Sequence, residues 1–385
     1  MGRIFRPMLP PTGTHSGTGP RKHVLQRSMK MSDTYTVRLE PVGVEFKVED
    51  GETILYAAFR QGISLPHGCK EGQCSACKCN LVEGEVYLLK YSTFALSDSD
   101  RENGGILLCR SLAQDDLVIE LLNFDEEHLS KSIAVKAYKG RISAKESLTH
   151  DIRSIEIALE SPLKFWAGQY VDITVRTKAG ETITRSFSMA NTPDQGQILK
   201  FIIKKYPEGR FSGELDSGGI EVGAEVTVTG PYGSCFRREN RTGPIVLVAA
   251  GSGMSPIWSI LHDHIASGED RPVYFFYGAR TRADLFYLDR IAAITAANPA
   301  ITFIPVLSHA QDDDAWTGAE GFVHQVVGTE LKRLGIEGDA DAYACGPPPM
   351  IDALQPVLFL QDFDPDRTFF DKFTTSTAPT PIKAH

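Results

Sequence analysis

The chain has 385 residues, of which 42% are hydrophobic and 23% are charged, and its formal net charge is −9. This length is sufficient for two or three globular domains, and the negative charge argues against a general nucleic-acid binder. No apolar run approaches the roughly 18 residues that a membrane-spanning helix needs, so we expect no membrane association. The seven cysteines are odd in number and clustered, which argues against a disulfide framework and favours a reducing, cytoplasmic setting.

Residues 1–32 differ in composition from the remainder of the chain. They contain no Asp or Glu, they are rich in Pro, Gly and Thr, and they show no apolar periodicity. Their basic residues are Arg3, Arg6, Arg21, Lys22, Arg27 and Lys30. A secretory signal would need an apolar core, which this segment lacks. We therefore expect a disordered extension, or an over-extended start upstream of Met29 or Met31.

The first predicted domain covers residues 33–125. Two short alternating runs in YTVRLEPVGVEFKVED (35–50) are separated by a Pro-Val-Gly turn, which predicts a β-hairpin. The following stretch GETILYAAFRQG (51–62) has apolar residues at helical spacing and Thr53 in position to cap them, which predicts a helix. A cysteine-rich loop and a strand within 115–124 complete the domain.

The second predicted domain covers residues 132–237. Its sequence consists mostly of short alternating strands with turn signals between them, which is typical of an antiparallel barrel. Polar stretches on either side, 123–132 and 236–244, predict linkers. The chain shows no internal repeat.

The third predicted domain covers residues 242–373. Buried strands such as PIVLVAAGSG and PVYFFYGAR alternate with helical stretches, one of them expected to start at Asp284. This alternation predicts a parallel α/β sheet. Residues 374–385 form a predicted tail.

The stretch HGCKEGQCSACKC (67–79) contains four of the seven cysteines. Cys69, Cys74 and Cys77 have the spacing C-x4-C-x2-C, and Cys109 lies downstream in GGILLCRS. Three ligands on one loop and a fourth from a distant segment are typical of a plant-type [2Fe–2S] cluster, so we predict that these four bind iron. Cys79 falls outside the spacing and is predicted not to bind. A structural zinc site is the alternative, although such sites normally use two closely spaced pairs.

Two stretches of the third domain are typical of nucleotide binding. VLVAAGSGMSP (246–256) is a strand that leads into a glycine turn and a helix, so its backbone can approach a diphosphate. The pattern is G-x-G-x-x-P rather than the Rossmann G-x-G-x-x-G, and an ordinary strand–helix turn stays open as the alternative. CGPPPM (345–350) follows another strand and would lie at the carboxyl edge of the sheet, where α/β proteins bind ligands.

The barrel segment offers two further motifs, RSFS (185–188) and GRFS (209–212). They supply an Arg for a phosphate, a ring for stacking, and hydroxyl and backbone donors for a second phosphate. Considered alone, each is an ordinary strand end.

Taken in order, these motifs resemble those of the ferredoxin–NADP reductase superfamily, with a plant-type ferredoxin fused on the N-terminal side. RSFS resembles the flavin motif R-x-Y-[ST], GRFS the pyrophosphate motif G-x-x-S, and GSGMSP and CGPPPM the nicotinamide-nucleotide motifs. FDKF (370–373) resembles the terminal acid-x-aromatic, whose ring stacks on the flavin. The resemblance implies an α+β and α/β multidomain protein with a ferredoxin β-grasp, an antiparallel flavin-binding β-barrel and a parallel α/β nucleotide-binding domain.

The resemblance assigns residues to each cofactor by their place in the motifs. For FAD they are Arg185, Ser186, Phe187, Ser188, Gly209, Arg210, Phe211, Ser212 and Phe373. For the nicotinamide nucleotide they are Gly251, Ser252, Gly253, Met254, Pro256, Cys345, Gly346, Pro347 and Met350. Ser188 is expected near the flavin N5 and Cys345 near the nicotinamide, so these two are the catalytic candidates. Phe187 stands where Tyr is usual, and a tail continues beyond Phe373; both are departures from the family.

Within this superfamily, the order ferredoxin–flavin–nucleotide is similar to reductase components of multicomponent oxygenases. The stretches YSTFALSDSD, LLCRS, DLVIEL and FFDKF resemble those of soluble di-iron monooxygenases of the methane, propane and phenol hydroxylase kind. The resemblance implies a monomer that passes electrons from NADH through FAD and a [2Fe–2S] cluster to a di-iron hydroxylase. A Rieske-type ring dioxygenase is the alternative partner. A zinc-stabilised interaction protein is the alternative from another class.

Residues 98–127 contain nine acids and only two bases, Arg101 and Arg110. The acids are Asp98, Asp100, Glu102, Asp115, Asp116, Glu120, Asp125, Glu126 and Glu127. A solvated face is the ordinary interpretation of such a run. Electrostatic steering onto a basic patch of an oxygenase is the functional one, and both stay open.

The choice between NADH and NADPH depends on Arg280 and Arg282, which follow the predicted strand VYFFYGAR. Either guanidinium could bind a 2′-phosphate, or both could be ordinary surface residues. YGART resembles the corresponding stretch of NADH-using oxygenase reductases, and we expect NADH.

Overall fold

The computed structural model describes residues 34–122, 124–206, 209–311 and 315–373. From Thr34 onward these residues belong to one compact unit, in which three main β-sheets follow one another along the chain. The expectations for residues 1–32 and for the tail 374–385 lie outside the described residues. No helix in the described part of the chain is long and apolar enough to cross a membrane.

The first region is a mixed five-stranded sheet with one packed helix. Its elements are β1 (Thr34–Glu40), β2 (Val44–Glu49), α1 (Ile54–Arg60), β3 (Lys78–Glu83), β4 (Val86–Leu88), α2 (Asp98–Glu102), β5 (Gly105–Leu107), β6 (Ser111–Ala113), β7 (Leu117–Glu120) and α3 (Glu126–Ser130). The sheet order is β2–β1–β7–β3–β5, with β1 and β7 parallel, and β4 pairs separately with β6. The hairpin and the helix capped by Thr53 are confirmed. The predicted strand within 115–124 is shorter, covering β7 only.

The second region is a six-stranded antiparallel sheet. Its elements are β8 (Lys136–Ser147), β9 (Ile152–Leu159), β10 (Tyr170–Arg176), β11 (Thr182–Ser188), β12 (Ile198–Lys204), α4 (Arg210–Ser217) and β13 (Glu225–Tyr232). The order is β11–β10–β13–β8–β9–β12, and a bridge between Met189 and Phe201 brings the two edges together. Val171 and Ile173 of β10 point into the barrel core, so the alternating Tyr170 and Asp172 lie on its outer face.

The third region is a parallel six-stranded sheet with helices on both faces. Its elements are β14 (Ile245–Ala250), α5 (Met254–Ser267), β15 (Val273–Ala279), α6 (Leu288–Ala297), β16 (Ile301–Leu307), β17 (Ala319–Glu320), α7 (Val323–Leu334), β18 (Asp341–Gly346), α8 (Pro348–Phe359) and β19 (Thr368–Lys372). The order is β17–β16–β15–β14–β18–β19. Helices α5 and α6 share one apolar core with the sheet, and α7 and α8 share the other. The predicted parallel α/β architecture is confirmed, but α6 begins at Leu288 rather than at Asp284.

Ion pairs connect the two stretches that the sequence predicts to be linkers. Arg238 is 1% exposed, and its guanidinium lies 2.5 Å from the Asp125 carboxylate. Lys131 lies 2.6 Å from Glu239. These segments are therefore packed connections rather than free linkers. We propose domain boundaries at 33–125, 132–237 and 242–373, which keep each sheet intact.

Candidate functional site

The four predicted cluster ligands lie together as two pairs. Cys69 and Cys74 exchange hydrogen bonds, because the backbone N–H of each donates to the sulfur of the other at 3.3 Å. The sulfurs of Cys77 and Cys109 lie 3.3 Å apart, since Cys77 precedes β3 and Cys109 follows β5, its antiparallel neighbour. The fold thus brings the distant fourth cysteine to the loop, as the spacing predicts.

The loop offers donors to anionic sulfur. Besides Cys74, the backbone N–H groups of Glu71 and Gln73 donate to the Cys69 sulfur at 3.4 and 3.2 Å. The Cys74 thiol, together with these N–H groups, lowers the pKa of Cys69 to about 5 despite partial burial. In the other pair, the hydrogen bond from Cys109 lowers the pKa of Cys77. Each pair therefore contains one thiol whose pKa is lowered, which suits a thiolate-ligated cluster.

The pairing favours two metal centres over one. Four thiolates around a single zinc ion would lie within about 4 Å of one another. Among the described residues, the only His, Cys, Asp or Glu trio whose ligand atoms all lie within 4.8 Å of one another is His150, Asp151 and Asp284. The cysteine sulfurs therefore do not converge on one point, and two separate pairs fit the two iron atoms of a [2Fe–2S] cluster.

Cys79 lies in β3 with its side chain in the apolar core of the first sheet. It is 2% exposed, and burial raises the pKa of its thiol to about 12. Its exclusion from the ligand set rests on the spacing of the other four cysteines.

The predicted flavin motif RSFS ends strand β11. The Ser186 hydroxyl donates to the Asp172 carboxylate at 2.6 Å, and the Arg185 guanidinium donates to the Thr184 carbonyl at 2.7 Å. The Phe187 and Phe211 rings lie 4.8 Å apart, so the structure brings the two predicted flavin motifs together. An apolar ring pair occupies the place where the family has a tyrosine hydroxyl.

The predicted pyrophosphate motif GRFS begins helix α4. Gly209 is its N-cap residue, and no side chain among the described residues caps it. A Cβ atom at Gly209 would lie 2.2 Å from the Ser212 hydroxyl, so a larger residue would not fit there. A helix that starts at a glycine, with no side-chain cap among the described residues, is suited to a phosphate group.

The two predicted nucleotide motifs touch each other at the carboxyl ends of β14 and β18. A Cβ atom at Gly253 would lie 2.1 Å from the Cys345 carbonyl oxygen, so only glycine fits this approach. Gly251 has a left-handed φ of 55°. Met254 and Pro256 lie in the buried first turn of α5, and Met350 packs over Gly346 from the first turn of α8. The glycine turn and CGPPPM therefore lie together at the carboxyl edge of the third sheet, where the sequence predicts CGPPPM.

Asp371 joins the two catalytic candidates. The Ser188 hydroxyl donates to its carboxylate at 3.3 Å, and the Cys345 thiol is also a hydrogen-bonding partner. Burial raises the pKa of Asp371 to about 6, and the hydrogen bonds from Ser188 and Cys345 oppose that rise. The sequence prediction included Asp371 in the FDKF motif but gave it no role. Its pairing with Cys345 across β18 and β19 explains why it reaches this site.

Ser255 is a second residue that the sequence prediction missed. Its hydroxyl donates to the Ser188 carbonyl at 2.6 Å and accepts from the Ile202 N–H at 3.4 Å. Ser255 is 1% exposed and lies in α5, so it fixes the nucleotide helix against the end of the flavin motif. The second serine of GSGMSP is the sequence feature that could have indicated this role.

Phe373 follows β19, and its backbone N–H donates to the Gly346 carbonyl at 3.0 Å. Its ring is partly buried against the core that α5 and α6 share. The structure thus places Phe373 beside the CGPPPM edge, which is compatible with the predicted stacking position.

Arg280 is held by carboxylates. Its guanidinium lies 2.7 Å from Asp284 and 3.4 Å from Asp151, and Lys204 also lies 3.2 Å from Asp151. The Asp284 carboxylate also accepts from the Thr281 N–H at 3.0 Å; with Arg280 this lowers the pKa of Asp284 against the effect of burial. Arg280 is therefore engaged, which disfavours binding of a 2′-phosphate and fits NADH.

Several of the nine acids in residues 98–127 make structural contacts. Asp100 completes the capping box of α2 with Ser97, and Asp116 accepts from the Thr36 N–H at 2.6 Å. Glu120 accepts from Asn80 at 2.9 Å, and Asp125 binds Arg238. The nine acids therefore do not form one uniform solvated face. Electrostatic steering of a partner protein can involve only those acids that make no such contacts.

Comparison with known proteins identifies three domain families in this chain. Residues 37–114 match the 2Fe-2S iron-sulfur cluster binding domain, residues 139–236 the oxidoreductase FAD-binding domain, and residues 247–355 the oxidoreductase NAD-binding domain. These matches confirm the predicted cofactors, namely a [2Fe–2S] cluster, FAD and a nicotinamide nucleotide. They also confirm the predicted multidomain fold class.

The chain is also similar to complete proteins. It is 42% identical over 363 residues to the reductase component of propane 2-monooxygenase from Rhodococcus jostii (strain RHA1), covering 92% of this chain and 96% of that protein. It is 37% identical over 349 residues to the phenol 2-monooxygenase reductase component DmpP from Pseudomonas sp. (strain CF600), covering 89% and 95%. The solved structure of the Amycolatopsis cytochrome P450 reductase GcoB matches with a TM-score of 0.78 at 27% identity, covering 89% of this chain and 99% of that one.

Proposed function

The chain belongs to the family of iron–sulfur flavoprotein reductase components of multicomponent oxygenases, and on that premise we propose that it supplies electrons from NADH to the di-iron hydroxylase of a monooxygenase system. The two relatives described above, which match over nearly their whole length, are reductase components of a propane and a phenol monooxygenase. We also propose that it acts as a monomer in the cytoplasm, where its seven free cysteines suit a reducing setting.

One observation carries the NADH step of this proposal: Asp371 contacts both Ser188 of the flavin motif and Cys345 of the nicotinamide motif. The hydride acceptor and the hydride donor would therefore be bound at adjoining positions. FAD bound here would supply the conversion between the electron pair that NADH gives and the single electrons that the cluster accepts.

The protein's own residues hold these positions and exclude water. The glycine turn at 251–253 admits the nucleotide diphosphate to the sheet edge. Cys345 is fully buried and closes the floor beside the nicotinamide position. Ser188 is oriented by Asp371 through its hydroxyl and by Ser255 through its carbonyl. We propose Arg185, the glycine-capped start of α4 and Phe373 as further contacts to FAD.

The surface beside the cluster loop is suited to a protein partner. Phe94 is 91% exposed, and it lies in a segment tied to that loop, because the Ser92 N–H donates to the Gly72 carbonyl at 2.9 Å. Asp98 and Glu102, exposed on α2, follow it. An exposed aromatic ring with an acidic rim is typical of a transient docking contact. We define Phe94, Asp98 and Glu102 as the docking surface for a hydroxylase with a basic rim.

Reconstitution tests this proposal. The purified reductase is combined with NADH and either a di-iron hydroxylase of the propane or phenol type or a Rieske dioxygenase, and product formation is measured. We expect turnover with the di-iron hydroxylase. Phe94→Ala should lower that turnover roughly tenfold, while NADH-driven reduction of ferricyanide, which needs no docking surface, stays unchanged. Turnover with the Rieske dioxygenase alone would show that the partner is wrong.

A further inference from the structure

The cluster loop is fastened to the outer face of the flavin barrel by a lysine that directly follows a cluster ligand. The Lys70 ammonium lies 2.8 Å from the Asp172 carboxylate of β10. Their side chains are only 21% and 22% exposed, so water screens this pair less than it screens a surface ion pair. Lys70 also has a left-handed φ of 58°, a backbone conformation unusual for a lysine.

Two tyrosines of the barrel enclose the same ammonium group. Lys70 Nζ lies 3.6 Å from the ring centroid of Tyr232 and 5.1 Å from that of Tyr170. Both rings belong to neighbouring barrel strands, because Tyr170 of β10 pairs with Tyr232 of β13. A cation over two aromatic faces and beside a carboxylate is held by three attractive contacts at once.

Backbone contacts hold the loop on either side of Lys70. The Tyr170 hydroxyl donates to the Gly68 carbonyl at 3.2 Å. The Gly233 N–H donates to His67 Nε2 at 3.1 Å, and the opposite ring nitrogen donates to the Leu65 carbonyl at 2.7 Å. The cluster loop therefore contacts the barrel at fixed positions on both sides of Lys70.

The same carboxylate reaches the flavin motif. Asp172 lies opposite Ser186 in the pairing of β10 and β11, and the Ser186 hydroxyl donates to the second oxygen of that carboxylate at 2.6 Å. Asp172 therefore contacts both Lys70, which follows a cluster ligand, and Ser186 of the RSFS motif. Within the described residues, this contact directly joins the two predicted cofactor motifs.

We propose that Lys70, Asp172 and Tyr232 form a clamp that sets the separation between the flavin and the cluster, and that Lys70 is a positioning residue for electron transfer between them. The proposal rests on the proposed function. The step concerned moves one electron from the flavin position to the cluster position, and no bond is formed or broken. The rate of such a step falls steeply with separation, so a loop that lifts from the barrel transfers electrons slowly.

The test uses the complete protein with both cofactors and separates two steps by stopped-flow absorbance and rapid-freeze EPR. The first step is reduction of the flavin by NADH, and the second is appearance of the reduced-cluster signal. In Lys70→Met, which keeps the aliphatic stem, the first step should keep its rate and the second should slow roughly tenfold. Lys70→Arg, which keeps the cation, should restore most of the second rate.

Hydrogen exchange gives a readout that does not depend on turnover. Lys70→Met should increase amide exchange in residues 66–73 and 228–233 without increasing it in the nucleotide domain. Asp172→Asn lies outside the cluster loop and should give the same pattern, which preserves the test if Lys70→Met fails to retain its cluster. The double variant should lose less than the sum of the two single effects, because both variants remove the same Lys70–Asp172 ion pair.

Lys78→Met is the matched control. Lys78 directly follows the ligand Cys77 and also forms an ion pair, at 3.3 Å with Asp100, but that pair lies within the first region. It should leave both electron-transfer steps and the exchange pattern unchanged. Unchanged cluster reduction and unchanged exchange in Lys70→Met, or equal slowing in Lys78→Met, would overturn the clamp. Failure of NADH to reduce the unmodified protein would instead contradict the proposed function.

Discussion

At the scale of single residues, the four cluster ligands lie as two pairs, and the Asp371 carboxylate lies between the two catalytic candidates. The cysteine spacing determines which sulfurs can share one loop, and the pairs Cys69–Cys74 and Cys77–Cys109 follow that spacing. Asp371 meets Ser188 across 183 positions of the chain. No local pattern encodes that meeting, because it depends on how β19 joins the edge of the third sheet.

The ligand assignment predicts opposite outcomes for two buried cysteines. Cys109→Ser should abolish or severely impair cluster binding, since it removes one of four thiolates. Cys79→Ser should retain the cluster and cost about 1–3 kcal/mol of stability, because it places a hydroxyl in an apolar core. Iron content per chain and thermal unfolding measure the two effects. Equal loss of iron in both variants would refute the assignment.

Asp371 predicts a pH dependence of flavin reduction. With a pKa of about 6, its carboxylate is ionised at neutral pH and accepts hydrogen bonds from Ser188 and Cys345. As pH falls through about 6 the carboxyl gains a proton, the hydrogen bond from Ser188 loses its charged acceptor, and the rate of flavin reduction by NADH should fall. Asp371→Asn should be slow and nearly independent of pH between about 5 and 7. Stopped-flow measurements across this range test it, and an unaltered profile in the variant would exclude Asp371 as the source.

At the scale of elements, the alternation of apolar and polar residues and the glycine turns predict most strands. The connecting segments are not predicted correctly. The helix expected from Asp284 begins at Leu288, because the Asp284 side chain accepts hydrogen bonds from Thr281 and Arg280 and completes a short turn instead. The stretch 123–132 looks like a polar linker, yet it contains α3 and packs through Lys131. Such outcomes depend on partners that lie far away in sequence.

The turn after β15 predicts a change in nucleotide preference. Asp284→Asn removes the nearer of the two carboxylates that hold Arg280 and leaves Asp151, so the guanidinium becomes more available to a 2′-phosphate. The kcat/KM for NADPH should rise roughly fivefold, as expected for about 1 kcal/mol of recovered ionic interaction, while that for NADH changes little. Steady-state kinetics with both nucleotides decide this. An unchanged ratio would mean that Arg280 does not face the 2′ position.

At the scale of the whole molecule, the order of the three domains was predictable because their motifs occur in order, and the way they pack was not. Arg238 lies in a stretch that looks like a linker, but it is almost completely buried. It contacts Asp125 from the first connection, and its guanidinium lies over the rings of Phe236 and Phe369 at 3.7 and 4.5 Å. Its backbone N–H also donates to the Tyr343 hydroxyl at 2.8 Å. One side chain therefore joins segments from all three regions.

Removal of this side chain should destabilise the assembly of the domains. Arg238→Met removes the ion pair with Asp125 and the contacts of the guanidinium with two aromatic rings, and it should cost about 3–5 kcal/mol, with a clear fall in the unfolding temperature. Arg141→Met is the matched control, because the Arg141–Glu225 pair is exposed, and it should change stability by about 0.5 kcal/mol or less. Thermal unfolding of the two variants compares them. Similar small losses in both would contradict the structural role of Arg238.

Electrons should pass within one chain from NADH through a flavin to an iron–sulfur cluster, and anaerobic titration of the purified protein with NADH is the decisive measurement of this path. Visible absorbance follows the flavin, and EPR follows the cluster. NADH should bleach the flavin, and a reduced [2Fe–2S] signal should then appear in the same molecules. In Cys109→Ser, NADH should still bleach the flavin, but no such signal should appear. A colourless protein that contains zinc, or a flavin that NADH reduces while an intact cluster stays oxidised, would contradict it.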